Sequence, residues 1–245
     1  MTDQTGRKAA LIIGAGDATG AAMARRFARG GYAVCVTRRS ADKLSSLVET
    51  IHAEGGEAHG FASDARKEED VVALVERIER EVGPIEVMVF NIGANVPSSI
   101  LDETARKYFK IWEMACFSAF LNGREVARRM VERHRGTIIF TGATASLRGS
   151  ANFAAFSGAK HALRALAQSM ARELQPKNIH VAHVVIDGAI DTDFIRETFP
   201  ERYALKDEDG ILNPDHIAEN YWHLHCQPRD AWTHELDLRP WSERW

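Results

Sequence analysis

Long hydrophobic runs are missing from this sequence. Its first apolar stretch, inside MTDQTGRKAALIIG, covers only residues 9–13 before a glycine turn, whereas a bilayer span needs about 20 residues and a signal-peptide core about 7 to 15. No membrane partner is expected, and the cytoplasm is the expected location. Cysteine is scarce as well: Cys35, Cys116 and Cys226 stand far apart, with no CxxC pair and no neighbouring histidine cluster. Such spacing argues against a disulfide framework and against a zinc site, so buried, reduced thiols and no metal are expected. An excess of one charge is lacking too, since 31 Lys and Arg face 34 Asp and Glu for a formal net charge of -3. Nucleic-acid binders carry a basic stripe and membrane-surface proteins a basic amphipathic helix. Here acids and bases alternate along most helical stretches, and no nucleic-acid partner is expected. Internal repeats and low-complexity tracts are also absent.

What the chain does contain is 45% hydrophobic and 27% charged residues, the balance of a soluble globular domain. Its 245 residues suit one α/β domain with one large core. Short apolar runs alternate with longer amphipathic ones, the pattern of βαβ units. The predicted fold class is therefore α/β, a single doubly wound Rossmann-like domain spanning 1–245 with a mostly parallel sheet. Strands are expected at 9–13, 32–37, 57–62, 85–91, 137–141 and 180–186, and near 233–238. Most are near-continuous Val, Ile, Phe or Ala, as in strands covered on both faces; 57–62 is weaker. Val71, Leu74, Val75, Ile78 and Val82, and again Ala159, Leu163, Leu166, Met170 and Leu174, recur at helical spacing and mark core-facing stripes. A long helix is expected over about 102–134 and a short one over 214–225, and His183 reads as a core histidine. From 187 the pattern loosens, which suggests a lid over a small-molecule substrate at about 191–213. The tail, 232–245, is rich in Trp and Arg and is expected to pack across an interface between copies.

Directly after the first strand comes Gly14-Ala15-Gly16-Asp17-Ala18-Thr19-Gly20. A pyrophosphate must approach backbone N–H groups at the positive end of a helix, which residues without side chains on a tight turn permit. Between an apolar strand and a helix near the N-terminus of an alternating chain, these glycines point to a dinucleotide. The second strand ends in Arg38 and Arg39. An acid there would take the ribose hydroxyls of NAD, whereas guanidiniums suit a 2'-phosphate. NADP(H) is expected, NAD(H) is the alternative, and both arginines also fit solvated helix-cap positions. Asp64, past the third strand, is placed to accept from the adenine amino group or to serve as a plain turn residue.

From Lys8 to about Leu238 the chain resembles the short-chain dehydrogenase/reductases. The residues that carry the resemblance are Gly14, Gly16 and Gly20, Asp64-Ala65, Asn91-Ile92-Gly93, and Asp187-Gly188 followed by Thr192. It implies that Asp64 and Ala65 border the adenine, that Asn91 and Gly93 line the cofactor groove, and that Gly188 and Thr192 close over the nicotinamide. Relatives of this kind pair through their long helices and C-terminal strand, so a homo-oligomer, dimer or tetramer, is implied. Ala18 stands where the family has its middle glycine and Asp187 where it has proline.

The family's reactive set departs further. A Tyr and a Lys four residues apart lie on one helical face, and here the segment reads Phe156-Ser157-Gly158-Ala159-Lys160. Thirteen residues earlier, where the family has Ser, stands Ala143, and Ala115 is in register with an Asn that organises a water. Only Lys160 remains, and in such proteins this ammonium also grips the nicotinamide ribose. Removing a general acid slows a reaction about 10²- to 10⁴-fold. Thr144 and Ser146 are the first replacement hydroxyls by proximity. Ser157 and His161 are expected on other faces of the helix, and Tyr203 in the lid. Two readings follow: an oxidoreductase acting on a small carbonyl or alcohol by an atypical route, or a cofactor-binding sensor or assembly partner without turnover.

Overall fold

The computed structural model describes residues 6–16, 18–93 and 96–244; Asp17 lies outside them. Seven strands alternate with helices: β1 (Ala9–Ile13), α1 (Thr19–Arg29), β2 (Ala33–Arg38), α2 (Ser45–Ala53), β3 (Glu57–Ala62), α3 (Glu68–Glu81), β4 (Ile85–Phe90), α4 (Ala105–Trp112), α5 (Ser118–Arg133), β5 (Gly136–Thr141), α6 (Ala154–Leu174), β6 (Ile179–Ile186), α7 (Asp193–Thr198), α8 (Pro200–Tyr203), α9 (Pro214–Cys226) and β7 (Glu235–Leu238). The sheet order is β3-β2-β1-β4-β5-β6-β7. All its neighbouring strands pair in parallel, including β7.

Strand periodicity divides the core into two layers. Ala9, Leu11 and Ile13 point into one, with Leu74, Val75 and Ile78 of α3, Val126 and Met130 of α5, and Leu163 of α6. Ala10 and Ile12 point into the other, with Met23 and Phe27 of α1 and Ile217, Tyr221 and Leu224 of α9. Alternate residues of a strand face opposite sides of a sheet, so covering both faces makes every position apolar. Edge position explains the weaker signal at β3, where buried positions alternate with half-buried and exposed ones.

The expected helix over 102–134 begins later, because the Thr104 hydroxyl accepts from Lys107 N–H and caps the first turn. It also contains a wider π-type turn at Glu113–Phe117, which joins α4 to α5. The segment expected to form a lid is not loose: Ile190 and Leu212 form a bridge at its base, the Thr192 hydroxyl accepts from Ile195 N–H at 3.1 Å to cap α7, and short helical turns fill the span.

The tail makes contacts within its own chain: Trp232 stacks on His180 with 4.9 Å between ring centroids, Trp241 Nε1 donates to Glu208 O, and Ser242 Oγ donates to Gly210 O. One expectation is corrected. Cys226 is exposed rather than buried, because α9 buries the stripe Ile217, Ala218, Tyr221 and Leu224 and position 226 turns away from it. No helix among the described residues is long and apolar enough to cross a membrane.

Candidate active site

Strand order reverses between β1 and β4. Such a switch point leaves a crevice at the carboxyl ends of the strands. Two cavities open there, one of about 190 Å³ and one of about 660 Å³, and Ile92 lines both.

The glycine turn lies at this junction. Gly14 has φ +82°, and a Cβ there would stand 2.9 Å from Asn91 O; a Cβ on Gly20 would stand 2.7 Å from Gly14 O. Both positions thus require glycine for the helix and strand to meet. At Gly16 no atom lies within 4 Å of such a Cβ, so a ligand has direct access to bare backbone. The Ala18 carbonyl accepts from Ala22 N–H at 2.9 Å. α1 has no acid in its first turn and carries Arg26 and Arg29 in its last. Its amino end attracts an anion, and Thr19, its first residue, lines the larger cavity. Asn91 Nδ2 donates to Gly14 O at 3.3 Å, tying β4 to the turn.

Arg38, Arg39, Ser63, Asp64, Ala65 and Arg66 surround the smaller cavity. Asp64 is already engaged: Arg66 grips its carboxylate through Nε at 2.8 Å and Nη2 at 2.6 Å. That guanidinium holds the Asp64 carboxyl down to about 2, well below the usual range. Asp64 is therefore a permanently ionised acceptor at the cavity edge. Arg66 was not legible in the sequence as part of this pocket. Neither was Ser63, whose Oγ is buried without a partner in the structure.

The larger cavity is lined by Asn91, Gly93, Ala143, Thr144, Phe156, Lys160 and Gly188, among others. Lys160 is 2% exposed, and its ammonium donates to Thr141 O at 2.8 Å and Ile92 O at 3.2 Å. Burial lowers its pKa from 10.5 to about 8, partly offset by the nearby Cys116 thiol. The three residues that depart from the Ser-Tyr-Asn pattern are brought together. Ala115, from the π-type turn, and Phe156 belong to one apolar cluster with Ile111, Ala145 and Ala159, and Ala143 packs against it. Removing three polar groups from one spot leaves none of them stranded without a partner.

The remaining expected hydroxyls separate. Thr144 lines the cavity and donates to Asp187 Oδ1. Ser146 is fully buried off the cavity wall, its Oγ accepting from Ala143 N–H at 3.1 Å. Thr192 does not line the cavity either, because its hydroxyl caps α7. Tyr203 lies outside the lining and accepts from Lys206. The exposed His161 also lies outside it, its ring nitrogen bonded to Ser157 O. Ser157, expected on another face, instead lines the cavity, with its Oγ buried and unpartnered. Residue 157 sits one position round the helix from Phe156 and one turn before Lys160, an arc wide enough for all three. Arg148, Phe199, Arg202 and Glu243, the last from the C-terminal tail, also line the larger cavity.

The chain belongs to the short-chain dehydrogenase family, whose model matches residues 8–202. A 2-dehydro-3-deoxy-D-gluconate 5-dehydrogenase of Formosa agariphila is 30% identical over 207 residues, covering 79% of this chain and 78% of that protein. A short-chain dehydrogenase from Rhodopseudomonas palustris has a similar structure, with a TM-score of 0.82 at 45% identity, covering 96% of this chain and 99% of that one. A metagenomic short-chain oxidoreductase solved with NADP superposes with a TM-score of 0.82 at 26% identity, covering 95% and 96%.

Proposed function

We propose that this chain is an NADP(H)-dependent oxidoreductase that acts on a small carbonyl or alcohol by a route that does without the family's tyrosine and serine. The observation that carries this reading is the amino end of α1, whose first turn holds no acid. It lies between a cavity bordered by Arg38 and Arg39 and another into which Lys160 projects. A dinucleotide fits that arrangement: adenosine with its 2'-phosphate beside the arginines, pyrophosphate over Gly14 to Gly20, nicotinamide ribose against Lys160. Asn91, Gly93 and Gly188 border the nicotinamide end. When bound, the cofactor supplies a hydride or accepts one. The chain supplies the pocket, the positioning and the proton route. The NADP-bound neighbour of like fold supports the choice of cofactor.

A homo-oligomer is part of the proposal. Phe109, Trp112, Phe117 and Phe120 form a ladder of neighbouring rings along α4 and α5, 5.8 to 6.1 Å apart, and Phe109 and Phe120 are exposed. Exposed apolar patches mark association surfaces. Light scattering on the purified chain tests this part.

The main test is titration with NADPH and NADH by fluorescence, followed by turnover assays on panels of aldehydes, ketones and alcohols. Tight NADPH binding with turnover supports the enzyme. Tight binding without turnover turns the reading to a cofactor sensor, and no binding overturns both.

A further inference from the structure

Asp187 stands where the family pattern has proline, and nothing in the cofactor site calls for a carboxylate there. It follows β6 directly and donates its N–H to Leu238 O at 2.8 Å. Its side chain is only 2% exposed. A buried carboxylate is costly unless paired and hydrogen-bonded, and this one is both. Arg148 approaches Oδ1 at 3.8 Å and Arg239 approaches Oδ2 at 3.8 Å. The Thr144 hydroxyl donates to Oδ1. Thr144 in turn lines the larger cavity, directly after Ala143, where the family's serine would steady the reacting oxygen. The chain runs from cavity to Thr144 to buried carboxylate without a gap.

Ser157 also lines this wall, but among the described residues its buried Oγ has no partner behind it to receive a proton. Asp187 Oδ1, by contrast, already accepts the Thr144 hydroxyl, so it stands as the acceptor end of the chain.

We infer that Thr144 and Asp187 form the proton relay of this protein in place of the missing tyrosine, and that the relay serves oxidation of an alcohol. This rests on the oxidoreductase reading above. The alcohol O–H bond breaks and its proton passes to Thr144 Oγ, while the Thr144 proton passes to Asp187 Oδ1. The C–H hydrogen leaves with its electron pair for the oxidised nicotinamide ring, and the C–O bond becomes the carbonyl. Asp187 later returns its proton to water. Thr144 touches the substrate and is the catalytic residue. Asp187 acts through it and is a positioning residue.

The experiment compares wild type with Thr144→Val, Thr144→Ser and Asp187→Asn. Each is measured for NADPH affinity, for kcat and KM with the best alcohol of the panel, and for calorimetric binding of 2,2,2-trifluoroethanol to the NADP⁺ complex. Thr144→Val, which keeps the shape and loses the hydroxyl, is expected to lower kcat about 10²- to 10⁴-fold. It should weaken trifluoroethanol about tenfold and leave NADPH affinity within about twofold, as one hydrogen bond is lost. Thr144→Ser is expected to rescue both. Asp187→Asn should lower kcat with KM and NADPH affinity retained. Unchanged kcat and trifluoroethanol affinity in Thr144→Val overturn the relay even if Asp187→Asn fails to fold. NADPH binding without turnover of any alcohol overturns the relay and leaves the cofactor site standing. Failure to bind NADPH removes the reading beneath it.

Discussion

The Lys160 ammonium lies over the Phe156 ring, 5.8 Å from its centroid. The geometry that sets a lysine beside a tyrosine in this family is thus retained, while the phenolic proton is gone. Phe156 packs with Ala115, Ala145 and Ala159, and Ala143 lies against the same cluster, so a hydroxyl at 156 alone would enter apolar surroundings. Restoring two groups together supplies each with a neighbour. Phe156→Tyr with Ala143→Ser is expected to raise carbonyl reduction about 10²- to 10⁴-fold over either single variant's background, read as NADPH consumption against the ketone panel. A double variant no faster than wild type would show that the cluster no longer admits the family's chemistry.

Burial of Lys160 has a cost in stability. Its pKa is lowered from 10.5 to about 8, so the unfolded chain binds more protons between those values. Stability therefore rises with pH across that window, and the full cost is present below about pH 8. Lys160→Met is expected to flatten the stability profile between about pH 8 and 10.5, while NADPH affinity falls. Denaturant melts at several pH values, paired with fluorescence titration, check both halves.

Arg38 and Arg39 border the smaller cavity together with the Arg66–Asp64 pair. Arg38→Asp is expected to weaken NADPH about 10- to 100-fold, the loss of a charge-assisted hydrogen bond, and to leave NADH within a few-fold. Equal loss of both cofactors would place the phosphate elsewhere.

Two histidines, the buried His183 and the half-buried His225, make the fold acid-sensitive. Burial lowers His183 from 6.5 to about 4, against the opposing pull of Glu235, whose carboxylate it meets at 3.0 Å. Burial likewise lowers His225 to about 4, beneath its contacts with Tyr32 and Thr137. Between about pH 6.5 and 4 the unfolded chain binds more protons than the folded one, so stability falls as pH drops through that range. Each histidine contributes roughly 1.4 kcal/mol per pH unit there. Urea midpoints for His183→Gln should depend less steeply on pH over this window; an unchanged slope would assign the acid sensitivity to other groups.

The tail braces the segment 191–213. Trp241 donates to Glu208 O at 2.8 Å, Ser242 donates to Gly210 O at 2.8 Å, and Glu243 stands 3.8 Å from Arg202. Deleting 240–245 is expected to speed proteolysis within 193–213 about 10- to 30-fold, as two hydrogen bonds of about 1 kcal/mol each are lost from the closed state. Protection of 193–213 equal to wild type would show that the tail is not its brace.

Much of this molecule is written locally. The central strands β1, β4, β5 and β6 were legible within a residue at either end, because a strand covered on both faces must be apolar throughout; β3, at the edge, was placed as well despite its weaker alternation. Gly14 and Gly20 announce the turn because no other residue fits there. Lys160, Phe156, Ala143 and Ala115 could be picked out by register along a helix and a strand. What could not be read was partnership across the chain. That Thr192 and Ser146 are consumed as backbone caps, that Ser157 turns into the cavity, and that Asp64 is held by Arg66 depend on distances the sequence does not carry. Asp187, Thr144, Arg148 and Arg239 meet only because parallel strands end side by side and the tail returns over them. The sequence by itself determined the alternation, the glycine turn and the missing tyrosine, since these follow from backbone sterics and periodicity. The tertiary structure alone decided which hydroxyl has a carboxylate behind it, because a proton moves only between groups that folding has brought into contact.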